Sequence, residues 1–317
     1  MTQVSSPQII VVGSHAPGIF VRVKQIPRAG ETVIGWDYQE PVDGGKGSNQ
    51  AIAAARLGAR VGFVGCVGKD RIGKEGARWM RKAGVDTTWL KMIDDSPSGT
   101  GVILLNDEGV PAMVTSLGAN QEITVDFVEE AIRQMNGAKV LLTQFEIPVE
   151  IAMHAARFAK ELGVISIVNP APATEVAPEI WSECASVLVP NESEAKTLLG
   201  LDQEDSISPE ELIVRLKTRT CVDDILITLG GRGIVGLDAS GQPWTFESPN
   251  VDVVDTSGAG DAFCAALAVG FVSGRSIKEA AKWATQVAAL TVTKAGTILS
   301  YPSLDEVNSF LQKTEFA

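Results

Sequence analysis

Asp255-Thr256-Ser257-Gly258-Ala259-Gly260-Asp261 places two carboxylates and two glycines in one short stretch. Upstream, Val251, Val253 and Val254 read as the end of a buried strand. Downstream, Phe263, Leu267 and Phe271 recur at i, i+4 and i+8 as one face of a helix. The stretch is therefore a strand-to-helix turn, the join from which α/β folds are built. Gly258 and Gly260 let the backbone come close to a ligand, and the free N–H groups of the first helical turn point at an anion seated there. Asp261 stands beside that position, where a carboxylate accepts a proton from a hydroxyl while amides hold a phosphate under attack. A structural reading is equally open at this point: Asp261 complements the helix dipole and the glycines only make the turn.

Working outward, the C-terminal side holds a helix over 276–292, apolar along Ala280, Trp283, Ala284, Val287, Ala288 and Thr291, and a final helix near 304–311. The apolar stripe reads as core rather than as a cofactor contact. On the N-terminal side, 235–246 reads as a hairpin turning at Ser240-Gly241. Before it, strands alternate with helices: 140–143 leads to Glu146, 164–168 to Asn169-Pro170-Ala171-Pro172, 186–189 to Asn191 and Glu194, and 225–228 to Gly230-Gly231. Polar residues and glycines thus follow strand after strand, which is where an open parallel sheet binds ligands. Any one of them alone also reads as a turn or a cap.

The N-terminal third begins with a buried strand over 9–12 followed by Gly-Ser-His-Ala-Pro-Gly at 13–18. That is not GxGxxG, so the dinucleotide fingerprint of a dehydrogenase is missing. Two stretches, about 19–43 (with Ile19 to Val23 and Thr32 to Ile34) and about 97–117, alternate like exposed antiparallel strands. The second is a hairpin turning at 106–109. Both are assigned to one small sheet apart from the main one. Between them, Gly-Gly-Lys-Gly at 44–47 enters a helix over 49–57 with Ser48 as N-cap and Gly58 just past its end. Lys46 and Asn49 at that entry suit either several hydroxyls of a polyol or a simply well-capped helix. Gly68, Gly73 and Lys74 begin a Walker-like pattern, but Glu75 stands where the magnesium-binding hydroxyl belongs, so Lys74 is read as an exposed first-turn lysine.

With 317 residues, 45% of them hydrophobic, the chain has material for one large α/β domain or two modest ones. Its 39 acidic against 27 basic residues, net charge −12, argue against nucleic acid or an anionic membrane as partner. Cys66, Cys184, Cys221 and Cys264 form no CxxC and read as reduced, mostly buried thiols. The apolar run at 9–12 is far too short to span a membrane, and no signal peptide is visible, so a soluble, cytoplasmic protein is expected.

GGKGSNQAIAAARLGA (44–59), NPAPA (169–173), PNESEA (190–195), ITLGGRG (227–233) and DTSGAGDAF (255–263), in that order over nearly the whole chain, resemble the ribokinase-like (PfkB) carbohydrate kinases, and within them the ribokinase branch. The resemblance implies a single domain over 1–317: a doubly wound, mostly parallel sheet flanked by helices, with a small β lid that closes over the sugar and often mediates a homodimer. It implies ATP-dependent phosphorylation of a small sugar, with Asp261 as general base and the amides of Ser257, Gly258, Ala259 and Gly260 as an anion hole. Gly45, Lys46, Asn49 and Glu146 would hold the sugar; Asn191 and Glu194 would lie at the phosphates and Mg²⁺; Thr228, Gly230 and Gly233 would line the nucleotide. Asp255 and Ser257, with Gly296 and Ser300, match a site for K⁺. In ribokinase-type members the first strand leads to an Asn-x-Asp segment whose aspartate grips two sugar hydroxyls, whereas Gly18 stands at that position here. D-ribose is therefore not the expected substrate, and His15 is a candidate to supply part of the lost recognition for another pentose, ketose or polyol. The alternatives are a nucleoside or ketohexose kinase of the same fold, and a non-catalytic sugar- or nucleotide-sensing relative.

Overall fold

The computed structural model describes residues 6–40, 44–107, 111–174, 176–238 and 240–315. Its first half runs β1 (Ile9–Val12), β2 (Gly18–Val23), β3 (Gly35–Gln39), α1 (Lys46–Arg56), β4 (Val61–Gly68), α2 (Arg71–Lys82), β5 (Asp86–Ile93), β6 (Thr100–Leu105), β7 (Pro111–Ser116) and α3 (Val125–Gln134). There follow β8 (Val140–Gln144), α4 (Val149–Glu161), β9 (Ile165–Asn169), α5 (Trp181–Cys184), β10 (Val187–Leu188), α6 (Glu192–Leu199) and α7 (Pro209–Thr220). The chain closes with β11 (Asp224–Thr228), the hairpin β12 (Ile234–Leu237) and β13 (Pro243–Phe246), then α8 (Ala259–Val272), α9 (Ile277–Thr291) and α10 (Leu304–Glu315).

The large sheet has the order β13-β12-β11-β10-β9-β8-β1-β4-β5, parallel from β11 to β5 and antiparallel in the terminal hairpin. Successive residues of a strand point to opposite faces, so both faces of an apolar strand need cover. Ile9, Val11, Val140 and Leu142 face a layer containing residues of α1, α8 and α9. Ile10, Val12 and Leu141 face the opposite layer, which contains residues of α3, α4 and α7. This two-sided burial is the doubly wound α/β arrangement that the motifs imply.

The small sheet, β3-β2-β6-β7, contains the two stretches assigned to it, but its central pair is parallel. Gly18 aligns with Gly101 and Arg22 with Leu105, because β2 and β6 both leave the large sheet in the same direction. Its outer pairs are antiparallel. Residues 41–43, and 108–110 of the turn expected at 106–109, lie outside the described residues.

Several local expectations are corrected. Thr32 to Ile34 is not a strand: pairing begins at Gly35, and Ile34 is 91% exposed. Helix α1 starts at Lys46 with Gly45 as its cap, at φ 87°, so Ser48 sits inside the first turn and its hydroxyl donates to the Gly44 and Gly45 carbonyls at 2.7 and 3.1 Å. Residues 251–254 form no strand, because the antiparallel hairpin already occupies the edge beside β11. Val253 and Val254 are each 62% exposed, and Val251 and Val253 wall a cavity instead. Strand β5 had no counterpart in the sequence reading, since Asp86, Thr87, Thr88 and Lys91 dilute its apolar residues at the sheet edge.

Candidate active site

The carboxyl ends of β8, β9 and β11 and the N-termini of α1, α6 and α8 meet at one edge of the large sheet. Gly258 caps α8 at φ 76°, a left-handed value open to glycine at little cost. A Cβ there would lie 2.7 Å from the Tyr301 hydroxyl, so the turn is seated directly on a buried ring. Asp261, in the first turn of α8, is buried, and both carboxylate oxygens are held. Asn49 Nδ2 donates to Oδ2 at 3.0 Å and Gln50 Nε2 to Oδ1 at 3.1 Å.

Asp261 opens on a cavity of about 190 Å³ whose wall includes Lys46, Asn169, Asn191, Glu194, Thr228 and the 258–261 turn. A second cavity, of about 480 Å³, shares Thr228, Thr256, Ala259 and Gly260 with the first, so the two adjoin across the head of α8. The larger one is walled by Gly230, Gly233, Val251, Phe263, Ala288 and Val292 among others. The apolar stripe of α9 therefore has two uses: Ala280, Trp283, Ala284, Val287 and Thr291 are buried in the core, while Ala288 faces the cavity.

The electrostatics centre on Lys46. Burial disfavours its ammonium, but the carboxylates of Asp261, Glu146 and Glu194 outweigh that and hold its pKa above the ordinary lysine value. Burial raises the Glu194 carboxyl, opposed by the Asn191 N–H and by Lys46. Asn191 and Glu194 also cap α6 reciprocally: Asn191 N donates to Glu194 Oε2 at 2.8 Å, and Glu194 N to Asn191 Oδ1 at 2.7 Å. Glu146 Oε2 accepts the Lys46 N–H at 2.7 Å and the Ser14 hydroxyl at 2.6 Å, tying β1, α1 and the loop after β8 together. Asp255 accepts N–H bonds from Ser257 and Gly296, both at 2.9 Å. Burial pushes its pKa up, but these bonds outweigh it and hold the carboxyl below its usual range.

Lys46, Asn191, Glu194, Thr228, Gly258, Ala259, Gly260 and Asp261 thus surround the smaller cavity, with Asn49 joined to it through its bond to Asp261, and Thr228, Gly230, Gly233 and Gly260 surround the larger. Gly45 supplies the entry to α1, and Asp255, Ser257 and Gly296 share one hydrogen-bonded loop. Ser300 is buried with its hydroxyl turned to the Thr297 carbonyl at 2.7 Å. His15 and Gly18 stand apart. The His15 ring is buried, its Nδ1 lies 3.1 Å from Ser48 Oγ, and it presses on Gly76 of α2, where an added Cβ would lie 2.2 Å from Nε2. Gly18 borders a small space with Glu40, Arg71, Glu75 and Thr100.

Sequence reasoning placed Asn169 at the ligand edge but missed Gln50 and Gln144 as site residues, although each is an amide inside or at the end of an apolar run. Asp70 caps α2 at the failed Walker pattern, its Oδ1 accepting Gly73 N at 2.9 Å, and Lys74 is exposed. Cys66, Cys184 and Cys264 are buried and Cys221 is exposed. Among the described residues no helix is long and apolar enough to cross a membrane.

A doubly wound sheet with a buried carboxylate at a helix N-terminus, opening on a polar cavity that adjoins a larger apolar one, is the setting of a small-molecule enzyme. The chain belongs to the pfkB family of carbohydrate kinases, whose profile matches residues 9–304. It is 34% identical over 309 residues to the ribokinase of Schizosaccharomyces pombe, covering 95% of this chain and 96% of that one. Its structure superposes on ribokinase from Giardia lamblia with a TM-score of 0.88 at 28% identity, covering 98% and 100% of the two chains. It matches Arabidopsis thaliana ribokinase complexed with ribose and ATP with a TM-score of 0.85 at 31% identity, covering 97% and 99%. The protein is a sugar kinase.

Proposed function

We propose that the protein transfers the γ-phosphoryl group of ATP to a hydroxyl of a small pentose, ketose or polyol, with Asp261 taking the hydroxyl proton. The observation that carries this reading is the Asp261 carboxylate, gripped on both oxygens at the head of α8 and opening on a cavity that adjoins a larger, mostly apolar one. The amides of Ser257, Gly258, Ala259 and Gly260 receive the charge that spreads over the phosphoryl oxygens, and Lys46 adds a buried positive charge. The larger cavity has room and apolar walls for a nucleobase, with Thr228, Gly230 and Gly233 at its polar end. The complex of the Arabidopsis relative with ribose and ATP supports that choice of donor.

Asn49 donates to Asp261 through Nδ2, while its buried Oδ1 has no hydrogen-bond partner among the described residues. An acceptor left so at a site edge suits a sugar hydroxyl, with Lys46, Gly45 and Glu146 beside it. Glu194, with Asn191, would hold Mg²⁺ largely through water and phosphate oxygens, since this ion keeps several waters and takes one or two carboxylates. Bound there, the ion neutralises charge on the phosphates. Asp255, Ser257, Gly296 and Ser300 would hold K⁺, for which the carboxylate of Asp255 stays ionised. Gly18 removes a side chain from the sugar side, so D-ribose is disfavoured. The small sheet serves as lid over the sugar and, through its exposed face, as dimer contact. Release of ADP across a panel of pentoses, ketoses, polyols and nucleosides, with and without K⁺, tests the reading. Asp261→Asn should lower kcat by about 10²- to 10⁴-fold, and undiminished sugar-dependent turnover in that variant refutes it.

A further inference from the structure

Gln50 and Gln144 are both fully buried and Asn169 nearly so, a placement that polar side chains tolerate only when hydrogen-bonded. The three form a chain leading to Asp261. Asn169 Nδ2 donates to the Val189 carbonyl at 2.9 Å, so its Oδ1 faces Gln50. Gln50 Nε2 then donates twice, to Asn169 Oδ1 at 3.2 Å and to Asp261 Oδ1 at 3.1 Å. Gln50 Oε1 is left to accept from Gln144 Nε2 at 2.6 Å. A backbone carbonyl at one end and a carboxylate at the other are both obligate acceptors, so every amide in the chain has one permitted orientation. The cost falls at the far end, where Gln144 Oε1 is buried with no partner among the described residues. It lies where a Cβ on Gly13 would come within 2.3 Å, so a glycine after β1 admits it.

An arrangement that leaves an acceptor unpaired in order to aim donors at a carboxylate has a purpose at that carboxylate. We propose that Gln50, oriented by Gln144 and Asn169, is a positioning residue: it fixes the Asp261 carboxylate in the rotamer from which Oδ2, shared with Asn49, meets the acceptor hydroxyl. This rests on the reading of Asp261 as general base. Asn49 and Gln50, successive residues in the first turns of α1, straddle the carboxylate, so α1 sets the base while α8 carries it. Loss of a donor to a charged acceptor inside the protein predicts a fall in kcat of about 10- to 100-fold. Because Gln50 lines neither cavity, substrate binding is left in place.

The test measures kcat and both KM values for Gln50→Met, Gln144→Met and Asp261→Asn, using ATP and the panel sugar that the wild type turns over fastest. Gln50→Met keeps the length and apolar packing of the side chain but has no donor. The expected result is a lowered kcat with each KM within about three-fold of wild type, since a group acting only in the transition state moves kcat alone. Gln144→Met should give the same pattern more weakly, and it carries the test if Gln50→Met does not fold. Wild-type kcat in the foldable variants, or a KM that rises as far as kcat falls, overturns the proposal while an inactive Asp261→Asn leaves the base assignment standing. Full turnover by Asp261→Asn overturns both.

Discussion

Gly258 and Gly260 lie two residues apart in one turn, yet the structure gives them different reasons to be glycine. At Gly258 the backbone is left-handed, with φ 76°, and a Cβ would meet the Tyr301 hydroxyl at 2.7 Å and its ring at 3.1 and 3.2 Å. Tyr301 is completely buried and cannot swing aside. Forcing alanine into that backbone costs about 1–2 kcal/mol, and overpacking a buried ring adds about 1–3 kcal/mol. Gly258→Ala should therefore lose roughly 2–5 kcal/mol, a large share of the ~5–15 kcal/mol that holds a domain together. At Gly260 nothing lies within 4 Å of an added Cβ and φ is not left-handed. Gly260→Ala should leave stability unchanged, or raise it by up to about 1 kcal/mol through helix propensity. Its new methyl group stands at the wall common to both cavities, so turnover should fall at least about ten-fold, equivalent to ~1.4 kcal/mol of lost transition-state stabilisation. Urea denaturation followed by circular dichroism gives the stabilities, and coupled ADP release gives kcat. Gly258→Ala within about 0.5 kcal/mol of wild type would refute the packing account. Gly260→Ala with wild-type kcat would refute the view that the backbone there is bare for a ligand.

Two further expectations concern the periphery. Glu306 accepts from Lys294 Nζ at 2.6 Å and from Ser303 N at 2.8 Å; the Lys294 bond foremost lowers its pKa from 4.5 to about 2. A carboxyl depressed in the folded state stabilises above its unfolded pKa and loses that contribution as pH falls through the folded one. Glu306→Gln should thus lower Tm slightly at pH 7, the pair being exposed, and the gap to wild type should close between pH 4.5 and about 2; a gap independent of pH contradicts this. Ile34, Trp36, Tyr38, Met113 and Val114 are exposed on the two faces of the small sheet and the loop leading into it, apolar side chains of the kind that a second copy covers. The wild type should elute as a dimer in size-exclusion chromatography and Ile34→Asp/Met113→Asp as a monomer, whereas a monomeric wild type at all concentrations would rule out this contact.

The large sheet was legible because buried parallel strands read as continuous apolar runs, and a polar residue after each run marks the ligand edge. What escaped was set by distant partners. The hydrophobicity of Val251 and Val253 is the same whether they line a cavity or belong to a strand, and only the hairpin beside β11 decides. The parallel pairing of β2 with β6 joins residues about eighty apart, with no local sign in either strand. The α1 cap was misplaced because Gly45 enters the helix at a positive φ, leaving Ser48 to bond backwards. Gln50 and Gln144 were visible as amides in apolar surroundings, but their shared direction toward Asp261 depends on the Val189 carbonyl, just past the end of β10 and far from either in sequence.

The same distinction bears on substrate choice. Gly47, at the entry to α1, is imposed by the fold, since a Cβ there would lie 2.5 Å from Ser14 N and 2.7 Å from Gly13 C, all backbone. Gly18 is not imposed. Its φ is not left-handed, and a Cβ would meet only the tip of Ile103 at 3.1 Å, the far end of a flexible side chain that can shift by a few tenths of an ångström. A side chain at position 18 is therefore compatible with this backbone, and its absence is a matter of chemistry rather than of conformation. His15 does not fill the gap, because its ring is packed between Ser48 and Gly76, where it joins α1 to α2. Under the proposed function, hydroxyl recognition then falls to α1, through Lys46 and Asn49, and Glu146 braces the entry of that helix from the loop after β8. A site so divided would keep its grip on the reacting hydroxyl, proposed to lie between Asp261 and Asn49, and relax it on the side of the sugar nearest β2. The selectivity expected of such a site is strict for the position phosphorylated and permissive for the substituents remote from it.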